Sequence, residues 1–246
     1  MFGEWEFLDR VGAAADAGFT AVECQWPYEF NAGKLAKSLS RYDIPMVLVN
    51  APAGDMTSGD RGLAAVSGRE AECRDGVERA LRYCQELGCL QVHLLSGCPP
   101  ADQSVDACRS VLIENARYAT DLFAPYDVQV LLEAINTHDL PGYFLGHVSA
   151  AVSIIEQVDR ANIGLQFDLY HAYRMEEDIC QTLSKYRDRI AHMQISGFPG
   201  RHEPDVGEID YPPLFEAIDA LGYAGWVGCE YAPQTTTDEG LGWFSR

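Results

Sequence analysis

Short runs of apolar residues alternate along this chain with stretches in which apolar positions recur every three or four residues. The runs Ala21–Cys24, Met46–Asn50, Gln91–Ser96, Val128–Ala134, Ile163–Leu169, Ile190–Ser196 and Trp226–Tyr231 read as strands. They are continuous rather than alternating, as expected of parallel strands covered by helices on both faces. Between them, the spacing of Val77, Ala80, Leu81, Cys84 and Leu87 predicts a helix stopped by Gly88. Cys108, Val111, Leu112, Ala119 and Leu122 form a second helical stripe ahead of Pro125, and Val148, Ala151, Val152 and Ile155 a third. The chain opens on another helix-like segment, Trp5–Ala17, and no Ser/Gly-rich linker interrupts the strand–helix order. One α/β domain spanning residues 1–246 is the expectation.

That order fits either an open doubly wound sheet or a closed (β/α)8 TIM barrel. An open nucleotide-binding sheet carries a glycine-rich turn after its first strand, and no G-x-G-x-x-G or Walker sequence occurs here. Polar residues instead close several successive strands: VLLEAIN carries Glu133, LQFD ends in Asp168, HMQI carries Gln194 and WVGCE ends in Glu230. Barrel enzymes assemble their sites from the C-terminal ends of different strands, so the pattern favours the barrel.

Those four residues are separated by 35, 26 and 36 positions, each about one strand–helix unit. In a closed barrel they reach one rim. Three carboxylates gathered there repel one another unless a cation sits among them. An all-oxygen set of Glu133, Asp168, Gln194 and Glu230 predicts a divalent metal, Mg²⁺ or Mn²⁺ in preference to Zn²⁺. Each residue taken singly is as readily explained by a local Arg or a helix terminus; the repetition at matching strand ends favours the metal.

The longest Gly/Pro-rich loop, Gly197–Asp210, follows Gln194 and contains Arg201, a candidate for holding a substrate carboxylate. A partnership of Arg201 with Glu203 or Glu208 is an equal alternative from spacing. His171, three residues after Asp168, can polarise a substrate oxygen or serve as a structural hydrogen-bonding residue. His93 reads as core and Asn50 as a brace for the following turn.

Composition narrows the partners. With 37 acidic and 18 basic residues the formal charge is −19, which opposes nucleic acid and anionic membranes as partners. A small molecule remains as substrate, and a homo-oligomer stays open. The eight cysteines include no C-x-x-C pair and are expected to be reduced packing residues. MFGEWEFLDR has no apolar signal region, so a cytoplasmic location is expected.

Several segments resemble the hydroxypyruvate isomerase family: Pro199–Ile218 (PGRHEPDVGEIDYPPLFEAI), Gly225–Trp243 (GWVGCEYAPQTTTDEGLGW), NAPAGD at Asn50–Asp55, Gly68–Tyr83 and QFDLYH at Gln166–His171. The similarity covers nearly the whole chain. It implies a xylose-isomerase-like TIM barrel acting on small hydroxy-oxo acids, with Glu133 and Glu230 as the catalytic pair and Asp168 and Gln194 joining them around the metal. The implied reaction moves a carbonyl between adjacent carbons, hydroxypyruvate to tartronate semialdehyde or a four-carbon (2-oxo-tetronate) homologue, with His171 and Arg201 binding substrate. The family's E-P-[I/L]-N reads EAIN, with Ala134 in place of proline, and Gly197 replaces an aspartate. Its opening strand, F-x-x-N-L-S, has no counterpart, so the first barrel strand is expected to be missing or non-standard. A ketose 3-epimerase is the nearest alternative activity. The alternative from another class is a non-catalytic barrel serving as a binding or assembly protein.

Overall fold

A computed structural model of the chain describes residues 1–244. Helix α1 (Arg10–Asp16) precedes the first strand, and then strands and helices alternate: β1 (Val22–Cys24), α2 (Ala32–Tyr42), β2 (Met46–Asn50), α3 (Glu70–Leu87), β3 (Gln91–His93), α4 (Val105–Phe123), β4 (Gln129–Glu133), α5 (Val148–Val158) and β5 (Ile163–Asp168). Two short helices follow, α6 (Leu169–Arg174) and α7 (Ile179–Tyr186), then β6 (Ile190–Ile195), α8 (Tyr211–Ala220), β7 (Val227–Cys229) and α9 (Thr237–Gly240). All pairings are parallel, and the strands lie in their sequence order, β1 through β7. The result is a nearly closed α/β barrel of seven strands.

Local chemistry explains the boundaries. Asn31, Ser104 and Asp178 each accept a backbone N–H of the first turn of α2, α4 and α7, satisfying a donor that has no partner inside the helix. Gly88 stops α3 in the left-handed conformation (φ +67°), which costs glycine least. Every residue of β5 is buried, as the unbroken apolar run required, and Phe123, Leu131, Leu132, Leu165 and Phe167 are among the large side chains withdrawn from water. No helix among the described residues is long and apolar enough to cross a membrane.

The barrel's seam lies between β1 and β7, which do not pair with each other among the described residues. A cavity of about 280 Å³ occupies it, walled by Val11, Phe19, Val22, Trp226 and Val227. Aromatic packing closes one side: Phe19 meets Phe2 edge-on at 5.9 Å and stacks on Phe244 at 4.5 Å. The chain's start is tied down as well, since the Phe2 N–H donates to Thr237 Oγ1 (2.7 Å) and the Thr237 N–H to Glu4 Oε1 (2.8 Å). A polar tie spans the gap. Glu23 on β1 lies 2.8 Å from His192 Nε2 and accepts from Gln194 Nε2 at 2.8 Å, both on β6. It passes over Gly228 of β7, where a Cβ would collide with the Glu23 carboxylate.

Candidate active site

Strand ends place the carboxylates. Glu133 is the last residue of β4, Asp168 the last of β5, and Glu230 follows β7 directly. Register sets Asp168 beside Gln194 and Glu133 beside Gln166. Glu133, Glu230, His171 and Arg201 line one cavity of about 230 Å³, together with His93 and Gln166.

Glu133 is 4% exposed. Its Oε2 lies 3.4 Å from His93 Nδ1 and its Oε1 3.9 Å from His171 Nε2, and Oε1 has no hydrogen-bond partner among the described residues. Burial first, then the charges of Asp168 and Glu230, raise its pKa well above the carboxylate range. Asp168 divides its oxygens: Oδ1 caps α6 by accepting the Tyr170 N–H (2.8 Å), while Oδ2 accepts from Arg201 Nη2 (3.0 Å). Glu230 Oε1 faces the same guanidinium nitrogen at 3.3 Å and accepts from Gln25 Nε2. Burial, offset in part by Arg201, pushes Glu230 up to about 7. Arg201 also sits 5.2 Å over the Tyr170 ring, and its left-handed backbone (φ +55°) follows Gly200 (φ +91°). Its guanidinium sets a positive charge between the Asp168 and Glu230 carboxylates.

His171 is buried, and that burial holds its pKa down to about 4, so the ring is neutral at pH 7. His93 is pushed down to about 3 by the same cause.

A divalent cation fits these donors. Glu133, Asp168 and His171 each offer an atom, all within 4.8 Å of one another, and the buried Glu133 Oε1 is a carboxyl oxygen with no hydrogen-bond partner among the described residues. Carboxylate oxygens suit a hard cation. Gln194 stands differently from the other three residues of the expected set. Its Oε1 accepts from Gln166 Nε2 (2.6 Å) and its Nε2 donates to Glu23, so its amide is engaged by neighbours inside the barrel.

The structure also brings in residues that the sequence reading assigned elsewhere or passed over. His93 is buried as expected of a core residue, yet its ring faces Glu133 and borders the cavity. Asn50 borders the cavity too, while its carbonyl accepts from the Tyr28 hydroxyl. Arg201 pairs with Asp168 and Glu230, not with Glu203 or Glu208; Glu203 instead accepts from the Gln234 N–H. Gln25, Asn136 and Asp139 were not singled out. Gln25 lies just beyond the end of β1, the position rule that found Glu133 and Glu230, whereas nothing local in the sequence marks Asn136 or Asp139.

Comparison with known proteins agrees with this architecture. Residues 11–246 match the family described as "Xylose isomerase-like TIM barrel". The chain is 46% identical to a 2-oxo-tetronate isomerase of Cupriavidus necator over 99% of its length and 94% of that protein's. It is 42% identical, over the same shares, to a hydroxypyruvate isomerase of Escherichia coli. A crystal structure from Brucella melitensis, titled AP endonuclease, family 2, superposes with a TM-score of 0.97 at 45% identity, covering 100% of this chain and 95% of that one. A D-allulose 3-epimerase from Methylomonas sp. superposes with a TM-score of 0.77 at 20% identity, covering 94% of this chain and 80% of that one, a likeness of fold alone. Nearly full-length relationships on both sides, joined to seven parallel strands with carboxylates at their C-terminal ends, place the chain in the xylose isomerase-like TIM barrel family, beside its hydroxypyruvate and 2-oxo-tetronate isomerases.

Proposed function

We propose that this protein is a metal-dependent isomerase of small hydroxy-oxo acids, interconverting hydroxypyruvate with tartronate semialdehyde, or their four-carbon 2-oxo-tetronate homologues, through an enediolate. The observation that carries the reading is the cavity shared by Glu133 and Glu230, with the Arg201 guanidinium between Asp168 and Glu230. Two raised-pKa carboxylates serve proton transfer, and a cation beside them serves an acidic substrate. The relatives named above act, by their names, on substrates of this kind.

The divalent cation, Mg²⁺ or Mn²⁺ in this reading, would be held by Glu133, Asp168, Gln194 and Glu230. When bound it supplies Lewis-acid polarisation of the substrate's oxygens, worth several kcal/mol to the developing enediolate. The chain's own residues do the rest. One glutamate removes the proton from the hydroxyl-bearing carbon and the pair returns a proton to the adjacent carbon, while the hydroxyl proton passes to the former carbonyl oxygen. Arg201 receives the substrate carboxylate, and His171 donates to a substrate oxygen. The buried walls formed by His93 and Gln166 restrict water around the enediolate. A cytoplasmic setting belongs to the same reading, and nucleic acid does not: a chain of charge −19 opposes a polyanionic backbone, whatever title a close structural relative bears.

The test is turnover of hydroxypyruvate, a 2-oxo-tetronate and D-fructose, each assayed with Mg²⁺ and with EDTA. Metal-dependent turnover of the acids well above the ketose is expected; preference for the neutral ketose would favour a 3-epimerase. The pH profile has a definite sign. Burial pushes the Glu230 carboxyl up to about 7 and holds that of Glu133 well above the usual carboxylate range, so both take up protons as pH falls. Metal must displace those protons, so the Mg²⁺ concentration needed for half-maximal activity should rise as pH falls from 8 to 6.

A further inference from the structure

The His171 ring has two faces to the protein, and they differ in kind. On the Nδ1 side stands Asn136, fully buried just beyond the end of β4. Its side-chain Nδ2 lies 2.7 Å from His171 Nδ1, and its backbone N–H points at the same nitrogen from 3.5 Å. On the Nε2 side stand two carboxylates, with Asp168 Oδ2 at 3.5 Å and Glu133 Oε1 at 3.9 Å.

The orientation of the Asn136 amide is fixed independently of the histidine. Its Oδ1 accepts the Asp139 N–H at 2.8 Å, and its Nδ2 donates to Asp139 Oδ2 at 3.0 Å. A carboxylate only accepts, so the Asn136 nitrogen cannot be exchanged for its oxygen without setting acceptor against acceptor. Asp139 is itself held, accepting from the Tyr170 hydroxyl (2.6 Å) and from Arg174 Nη2 (2.8 Å). One amide hydrogen of Asn136 goes to Asp139, and the other goes to His171 Nδ1. That nitrogen must then present a lone pair, and the ring proton resides on Nε2. A ring protonated on both nitrogens would set an N–H of Nδ1 against the amide hydrogen of Asn136.

We propose that Asn136 is a positioning residue that locks His171 as the Nε2–H tautomer, so that His171 is a hydrogen-bond donor to a substrate oxygen and not a metal ligand. A protonated Nε2 has no lone pair to offer a cation, although it stands close enough to Glu133 and Asp168 to look like the third member of a metal triad. The other nitrogen points away and is engaged. The set holding the cation is thereby confined to the oxygen donors, and one N–H remains aimed at the cavity. The donor role toward substrate rests on the reading given under Proposed function; the tautomer and the exclusion from the ligand set do not.

The experiment is ¹H–¹⁵N long-range NMR on the full chain carrying ¹⁵N-histidine, treated with EDTA and then titrated with Mg²⁺, with the His171 signals assigned from the spectrum of His171→Gln. The expected result is a protonated Nε2 and a lone-pair Nδ1, both retained at saturating Mg²⁺. A protonated Nδ1, or loss of the Nε2 proton on adding Mg²⁺, would overturn the proposal. Asn136→Ala should mix the two tautomers and lower kcat with little change in KM; a pure Nε2–H signal in that variant would remove Asn136 from the role. The tautomer is read from the spectrum and needs no turnover, so a failed tautomer assignment and a failed isomerase reading are separate results.

Discussion

Glu133→Gln is expected to lower kcat on a hydroxy-oxo acid by about 10²–10⁴-fold, the usual worth of a positioned acid–base group, while leaving the barrel folded. The substitution keeps the side chain's shape and removes a buried charge whose Oε1 has no hydrogen-bond partner among the described residues and whose neighbours are Asp168 and Glu230. The metal-free variant should therefore melt higher than metal-free wild type, because the charge removed was disfavoured in the folded state. Glu230→Gln should lose activity comparably with a smaller gain in stability, since its side chain is 21% exposed and faces Arg201 at 3.3 Å. Steady-state rates and melting curves of EDTA-treated protein check both. Turnover preserved in either variant would dissolve the two-glutamate scheme.

Arg201→Ala should act on the substrate's charge. Hydrogen bonds to a charged group contribute roughly 1.5–3 kcal/mol, so KM for the acid is expected to rise about 10–100-fold. For a neutral ketose the change should be slight. The same variant leaves Asp168 Oδ2 without a donor it holds at 3.0 Å and removes the positive charge from the carboxylate rim, so Mg²⁺ should bind more tightly than in wild type. Comparing KM for the acid and the ketose, with calorimetry of Mg²⁺ binding, separates substrate recognition from general disruption of the site. An equal loss on both substrates would take Arg201 out of carboxylate recognition.

Much of this architecture was written in local pattern. Strands buried on both faces give unbroken apolar runs, and all seven such runs became strands in their sequence order. Two of them, the third and the seventh, lost three residues each for identifiable reasons. Leu94 still donates its N–H to Leu131 of β4, and beyond it the chain meets the loop at Ala64 and Ala65, whose N–H groups donate to the carbonyls of Leu95 and Ser96. Among the described residues strand β7 has a partner on one side only, which leaves its ends less to pair with. The eight cysteines are all free, as their scatter implied.

The carboxylates were legible because a barrel turns each strand's last residue toward a common rim, so spacing alone brought Glu133, Asp168 and Glu230 together. What spacing could not reveal was partnership. His93 hides in an apolar run, because alternate positions of a barrel strand point inward and an inward polar residue leaves no mark on hydropathy. The pairing of Asn136 with His171 joins residues 35 positions apart, and that of Glu23 with His192 joins residues 169 apart. Such contacts arise only once the barrel curls, and the amide of Gln194 finds Gln166 and Glu23 for the same reason.

The central claim is proton transfer at carbon through an enediolate, carried by Glu133 and Glu230. It is tested most directly by following hydroxypyruvate in D₂O by NMR, with Mg²⁺ and again with EDTA. The account predicts Mg²⁺-dependent tartronate semialdehyde, with deuterium entering carbon faster than in the enzyme-free solution and no such exchange in Glu133→Gln. Product formed without any solvent deuterium at carbon, or undiminished exchange in that variant, would contradict it.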